Sequence, residues 1–147
     1  MEKDVLKKYL YTHIPITQDL GIGVVSIESG KLVLSADFQK NINHKKTVFG
    51  GSLQSVATLS AWSLIYTYQQ ESRPEIVIMD SKMKFLKPTT GDFQAVAYTP
   101  SNEAWDRFEK VYSQKGSGKI VVDSKITCNG VVTATFQGIF AVYDMRS

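Results

Sequence analysis

Gly50-Gly51 is the pair of residues best suited to chemistry, because it opens a segment with no charged side chain until Glu71. From Ser52 onward that segment has helical length and contains neither Pro nor Gly. A helix N-terminus offers backbone N–H groups without intrahelical partners and the positive end of the macrodipole. Both favour an oxygen that is gaining negative charge. Glycine adds access, since without a β-carbon a reacting group can approach the backbone closely. Ser52, Ser55 and Thr58 follow at three-residue intervals and put hydroxyls along one helix face. Such hydroxyls either line a site or bond back to the preceding turn. No His–Asp relay is readable that would make one of them a nucleophile. Upstream, Asn43 and His44 precede Lys45 and Lys46 in a polar loop. Asn43 suits an Asx turn, and His44 with its two lysines suits either solvent or an anionic group. Downstream, Asp80 is an acid within a largely apolar stretch, able to activate water or to pair with Lys82 or a neighbouring subunit.

The composition narrows the class of protein. At 147 residues the chain reads as one domain, 1–147, long enough to bury a substantial core. Apolar residues make up 43% and charged residues 21%, ordinary values for a soluble globular protein. The net charge of +3 comes without a basic run, which argues against nucleic acid and leaves small anionic ligands open. Ten of the 24 residues from Thr47 to Gln70 are Ser, Thr or Gln, too polar for a membrane span. Cys128 is the only cysteine, so no internal disulfide is possible and a reducing compartment fits. The N-terminal residues lack the apolar core of a signal peptide, and the cytoplasm is the expected location. No metal site is visible.

The elements that must position these residues follow from periodicity. Residues 3–13 carry Val5, Leu6, Tyr9 and Leu10 on one face of a short helix ended by Pro15, with His13 expected to cap it or stay exposed. Leu20–Glu28 and Lys31–Phe38 read as a hairpin around Ser29-Gly30. The long helix is apolar on nearly every side, so protein should wrap most of its circumference. Glu75–Lys87 reads as a third strand, with Val77, Met79, Ser81, Met83 and Phe85 facing the helix and Ile78, Asp80, Lys82 and Lys84 facing away. Asp92–Tyr98 is a fourth strand. Thr99-Pro100 can start a helix that carries Trp105, Phe108, Val111 and Tyr112 on one face and ends at Gly116. Lys119–Cys128 and Val131–Tyr143 close the chain as a hairpin turning at Asn129-Gly130. The expected fold is α+β: a curved antiparallel sheet of about six strands around one long central helix. Its sheet edges predict association.

This order of elements, with Gly-Gly opening the central helix and Asp80-x₄-Phe85-Leu86-x-Pro88 after it, resembles the hotdog-fold thioesterases. Thr47-Val-Phe-Gly-Gly-Ser-Leu, Trp105-x₂-Phe108 and Gly130…Phe136-x-Gly138-x-Phe140 look like one bacterial branch of them, related to the C-terminal domain of YiiD-type proteins. The resemblance spans essentially the whole chain. It implies cleavage of an acyl-thioester, acyl-CoA or acyl carrier protein, at a site between two subunits of a homodimer or dimer of dimers. No cofactor is implied, CoA thioester being the substrate. On this basis Gly50 and Gly51 would hold the oxyanion, and Asn43 would match the loop Asn that contacts thioester or water. Asp80 with Thr58 would activate water, and Phe49, Ser52, Ser55 and His44 would contact substrate. The chain also departs from the wider group. There, a His often precedes Gly-Gly and an acid sits two turns into the helix, where this chain has Phe49 and Thr58. That departure keeps a second reading open, an acyl-CoA-binding module without catalysis. It disfavours the dehydratase chemistry that would use His44.

Overall fold

The computed structural model describes residues 1–146. Two helices, α1 (Lys3–His13) and α2 (Ile16–Asp19), precede the hairpin β1 (Gly23–Glu28) and β2 (Lys31–Ala36). The long helix α3 (Gly50–Gln69) follows, then β3 (Glu75–Phe85), β4 (Phe93–Tyr98), α4 (Asn102–Lys115), β5 (Ser117–Cys128) and β6 (Val131–Tyr143). All six strands form one antiparallel sheet in the order β1-β2-β4-β5-β6-β3. Helix α3 touches five of them, β2 to β6, so the sheet curves around it. This is the hotdog arrangement.

The sheet wraps α3 because eleven of its 20 residues are buried, on several sides of the helix. Leu53, Val56, Ala57, Leu64 and Ile65 enter the core with Leu34, Phe93, Ile126, Phe136 and Phe140 from the strands. Some polar residues on α3 find partners, although the buried Ser63 Oγ has none among the described residues. Ser60 Oγ lies 2.7 Å from Ser124 Oγ of β5, and Trp62 Nε1 donates to the Ile76 carbonyl of β3 at 3.0 Å. Helix α1 covers what the sheet leaves open: Tyr9 stacks on Tyr66 and Trp62, with ring centroids 4.4 and 6.1 Å away. His13 belongs to this layer, its ring 4.2 Å from that of Tyr9. On β6, Gly138 makes room between Phe136 and Phe140, since a β-carbon there would come within 2.8 Å of both rings.

Several boundaries differ from the sequence reading. Leu20 to Ile22 are not strand: Thr17 is buried and donates its hydroxyl to the Ile14 carbonyl, which holds α2 as a helical turn before Gly21. The cap of α4 is Ser101 rather than Thr99, its Oγ accepting from Ala104 N at 3.2 Å. Asn129 and Gly130 have φ of 52° and 77°, the left-handed pair that a two-residue type I′ turn requires. Strand β3 carries a bulge between Ile78 and Asp80. Ser81, Met83 and Phe85 face α3 as the alternation predicts, but before the bulge the register is reversed. Ile76 is buried there, and Val77 turns outward.

Candidate active site

Phe49, the N-cap residue of α3, has no side-chain acceptor to offer. Asn, Asp, Ser or Thr normally occupies that position and ties down the first N–H groups. Here the Phe49 carbonyl accepts from Ser52 N at 2.9 Å and Leu53 N at 3.2 Å, which accounts for the third and fourth helical N–H groups. Gly50 N and Gly51 N have no acceptor among the described residues. Two aromatic side chains flank them. The Phe49 ring lies over Gly51, where an added β-carbon would come within 2.5 Å of it. Phe85 of β3 lies beside Gly50, 3.6 Å from where its β-carbon would be. Both rings are more than half exposed, 58% and 56%, so they form an apolar mouth at the two N–H groups rather than core.

From this mouth an open groove of about 330 Å³ runs along α3, lined by Gly51, Gln54, Ser55, Thr58, Leu59 and Ile16 of α2. Thr58 donates its hydroxyl back to the Gln54 carbonyl at 2.8 Å, which leaves the oxygen's lone pairs facing outward as acceptors. Gln54 donates through Nε2 to Ser81 Oγ of β3 at 3.2 Å, so its Oε1 is free to accept. Gln54 is a polar contributor that the hydroxyl pattern alone does not reveal. Its signal is its spacing, four residues after Gly50 and four before Thr58, on the same face. Phe85 was legible as part of a strand and of the Asp80-x₄-Phe85-Leu86-x-Pro88 motif, but not as a neighbour of Gly50. Ser52, by contrast, is buried, and only Ser55 and Thr58 of the hydroxyl stripe reach the groove.

The loop before α3 is closed by Asn43. Its Oδ1 accepts from Lys45 N at 2.9 Å and Thr47 N at 3.1 Å, and its Nδ2 donates to Thr47 Oγ1 at 2.9 Å. One Nδ2 hydrogen remains uncommitted. Further bonds from Phe49 N to the Asn41 carbonyl (2.8 Å) and from Val48 N to the Thr89 carbonyl (2.9 Å) fix the approach to the helix. His44 stands exposed in this loop. Asp80 stands apart from the groove along α3. It lies on the face of β3 turned away from α3, with Lys82, Gln137 and Ile139, and its Oδ1 accepts from Ser81 N. Within one chain it does not meet Thr58, whose hydroxyl bonds to the Gln54 carbonyl instead. No group of three His, Cys, Asp or Glu among the described residues is placed to hold a metal ion.

A family model described as "Putative thioesterase (yiiD_Cterm)" matches residues 3–144. The chain belongs to this family. A protein of unknown function from Chlorobaculum tepidum is similar over 97% of this chain and 94% of that one, with 27% identity and a TM-score of 0.90. A protein of Shewanella oneidensis, described as a putative thioesterase, matches at 25% identity and a TM-score of 0.83, covering 95% of each chain. A thioesterase of Haemophilus influenzae shares the fold alone, at 11% identity and a TM-score of 0.79 over 100% of this chain and 94% of that one. Membership of a thioesterase family supports action on thioesters in general. Among the described residues no helix is long and apolar enough to cross a membrane.

Proposed function

We propose that the chain hydrolyses acyl-thioesters of CoA or acyl carrier protein at the N-terminus of α3. The observation that carries this reading is the pair of unpartnered N–H groups at Gly50 and Gly51, set between Phe49 and Phe85. Attack on a thioester carbonyl turns its oxygen into an oxyanion. Two backbone donors at a helix N-terminus stabilise that charge without having to reorganise. The two rings exclude water from the thioester and strengthen those hydrogen bonds. The free acceptors of Gln54 and Thr58 orient the attacking water on the groove side. Collapse of the oxyanion breaks the C–S bond, and the proton the water gives up passes through solvent in the open groove to the departing thiolate. Asn43 holds the loop in shape and has one amide hydrogen left for substrate, while His44 with Lys45 and Lys46 meets the phosphates of CoA. In this scheme Asp80 has no catalytic role, because its face of the sheet is the wrong one.

A homodimer, alone or doubled, completes the scheme. Strand β3 is an edge of the sheet, and Val77, Ile78, Met79, Phe85 and Leu86 along it are all more than two-fifths exposed. Such an edge invites pairing with another strand, and a second copy adding through its own β3 would cover the apolar residues and enclose the Phe85 side of the mouth. A non-catalytic acyl-CoA-binding module is the second reading. It is favoured by one observation, the absence of any carboxylate from the groove lining among the described residues. Thiol release from a panel of acyl-CoAs separates the two: turnover supports hydrolysis, and saturable binding without release supports the module.

A further inference from the structure

The chain has a second groove at the other end of α3. A 20-residue helix spans about 30 Å at 1.5 Å per residue, so this groove is well separated from Gly50. It exists because β5 outruns its neighbour. Residues Ser117 to Val122 pair with β6 but not with β4, whose ladder with β5 ends at Asp123. Helix α4 lies along the vacated side, held there by Phe108 against Gly118 and by the Gln69–Glu109 and Ser72–Tyr112 hydrogen bonds. Between helix and strand a groove of about 550 Å³ remains, within the range of small-molecule sites.

Its chemistry has two parts. The walls are apolar, with Phe108, Ile120 and Ala141 buried and Val111, Val121 and Tyr143 left about two-fifths exposed. The remaining charged members of the lining are Arg107, Lys115 and Lys119, and none of the three makes a salt bridge among the described residues. Among the described residues no carboxylate or amide side chain lines the groove. Of the acids on and around α4, Glu109 is engaged with Gln69 and Asp144 with Arg146, while Glu103 and Asp106 flank Arg107 in sequence but neither line the groove nor form a salt bridge with it. Three cations without a salt-bridge partner among the described residues, over an apolar trough, complement a molecule with one anionic end and a hydrocarbon body.

We propose that the groove between α4 and the free half of β5 binds a fatty-acid carboxylate, its chain on the Val111–Val121 floor and its head group among Arg107, Lys115 and Lys119. The site is separate from the thioester reading and does not depend on it. The lining offers too few side-chain hydrogen-bonding groups to specify a peptide.

Calorimetric titration of the full chain with decanoate, decanol and acetate tests the proposal. Decanoate should bind saturably, and decanol and acetate at least tenfold more weakly, since each lacks one half of the ligand. Val121→Asp should weaken decanoate at least tenfold. So should the double variant Arg107→Gln/Lys119→Gln, which changes only exposed side chains and carries the test if Val121→Asp fails to fold. A Gly51→Val variant should still bind decanoate in the groove. Equal affinity for decanol, insensitivity to the groove variants, loss of binding in Gly51→Val, or no binding at all would each overturn the proposal. Self-association that Val121→Asp abolishes, without any decanoate binding, would give the groove to a second copy of the chain.

Discussion

Replacing Gly50 by alanine adds one methyl group that meets Phe85 at 3.6 Å, an ordinary contact that the fold accommodates. The same methyl stands where the thioester must approach, so turnover should fall at least tenfold while the melting temperature holds or rises. Gly51→Val is harsher, because its side chain would displace the Phe49 ring and screen the second N–H. Losing one oxyanion donor typically costs about 100- to 1000-fold in kcat, and that is the expected scale. Asp80→Asn should leave kcat within about threefold, as its face of β3 requires; a collapse of turnover would return Asp80 to the mechanism through a second copy. Away from the site, burial raises the phenol pKa of Tyr66 and Tyr112 above 10.0. A phenol that resists ionisation only in the folded state favours folding while protonated, so stability is full below pH 10 and declines as pH rises through that value. Thermal melts between pH 8 and 11 should show this decline, reduced in Tyr112→Phe.

At the scale of elements, α4 depends on its cap. Ser101→Ala removes the acceptor for Ala104 N and should cost about 1 kcal/mol, a drop of about 2–4 °C in a domain of this size. Phe140→Ala, fully buried opposite α3, should cost about 3–5 kcal/mol and is the contrasting core variant. The elements themselves were largely legible. The continuous apolar surface of α3, the alternation of β2 and β6, and Asn129-Gly130 each have one physical interpretation, and β6 ends where periodicity puts it. What escaped was local. A one-residue bulge at Met79 leaves the alternation of β3 intact on paper while reversing its first half in space. The cap of α4 lay two residues beyond Thr99 because Ser101 and Thr99 are equally good caps in sequence, and only the turn geometry chooses. In the proposed site, the open N–H groups of Gly50 and Gly51 were legible because a helix terminus carries its free donors in the backbone. Gln54 was not, and Phe85 was legible only through its strand and the Asp80-x₄-Phe85 motif, since their places in the proposed site arise from β3 crossing the first turn of α3.

For the molecule as a whole, the exposed β3 edge is the feature with the largest consequence. Ile78→Lys places a charge in the middle of that edge and should convert a dimer to monomer in sedimentation velocity, with turnover falling in parallel because the mouth at Phe85 loses its cover. A monomeric wild type would remove the second copy from the scheme. The two grooves lie at opposite ends of α3, so the variants of one should leave the other's ligand unaffected, and their effects should add.

The most direct test of the thioester reading is the rate of free-thiol release from short, long and aromatic acyl-CoAs by wild type and Gly51→Val, measured side by side. Turnover of at least one acyl class by the wild type, lost about 100-fold or more in a folded Gly51→Val, is the predicted result. Turnover that survives in Gly51→Val would contradict an oxyanion held at the start of α3, and an inactive wild type that still binds acyl-CoA would make the chain a binding module.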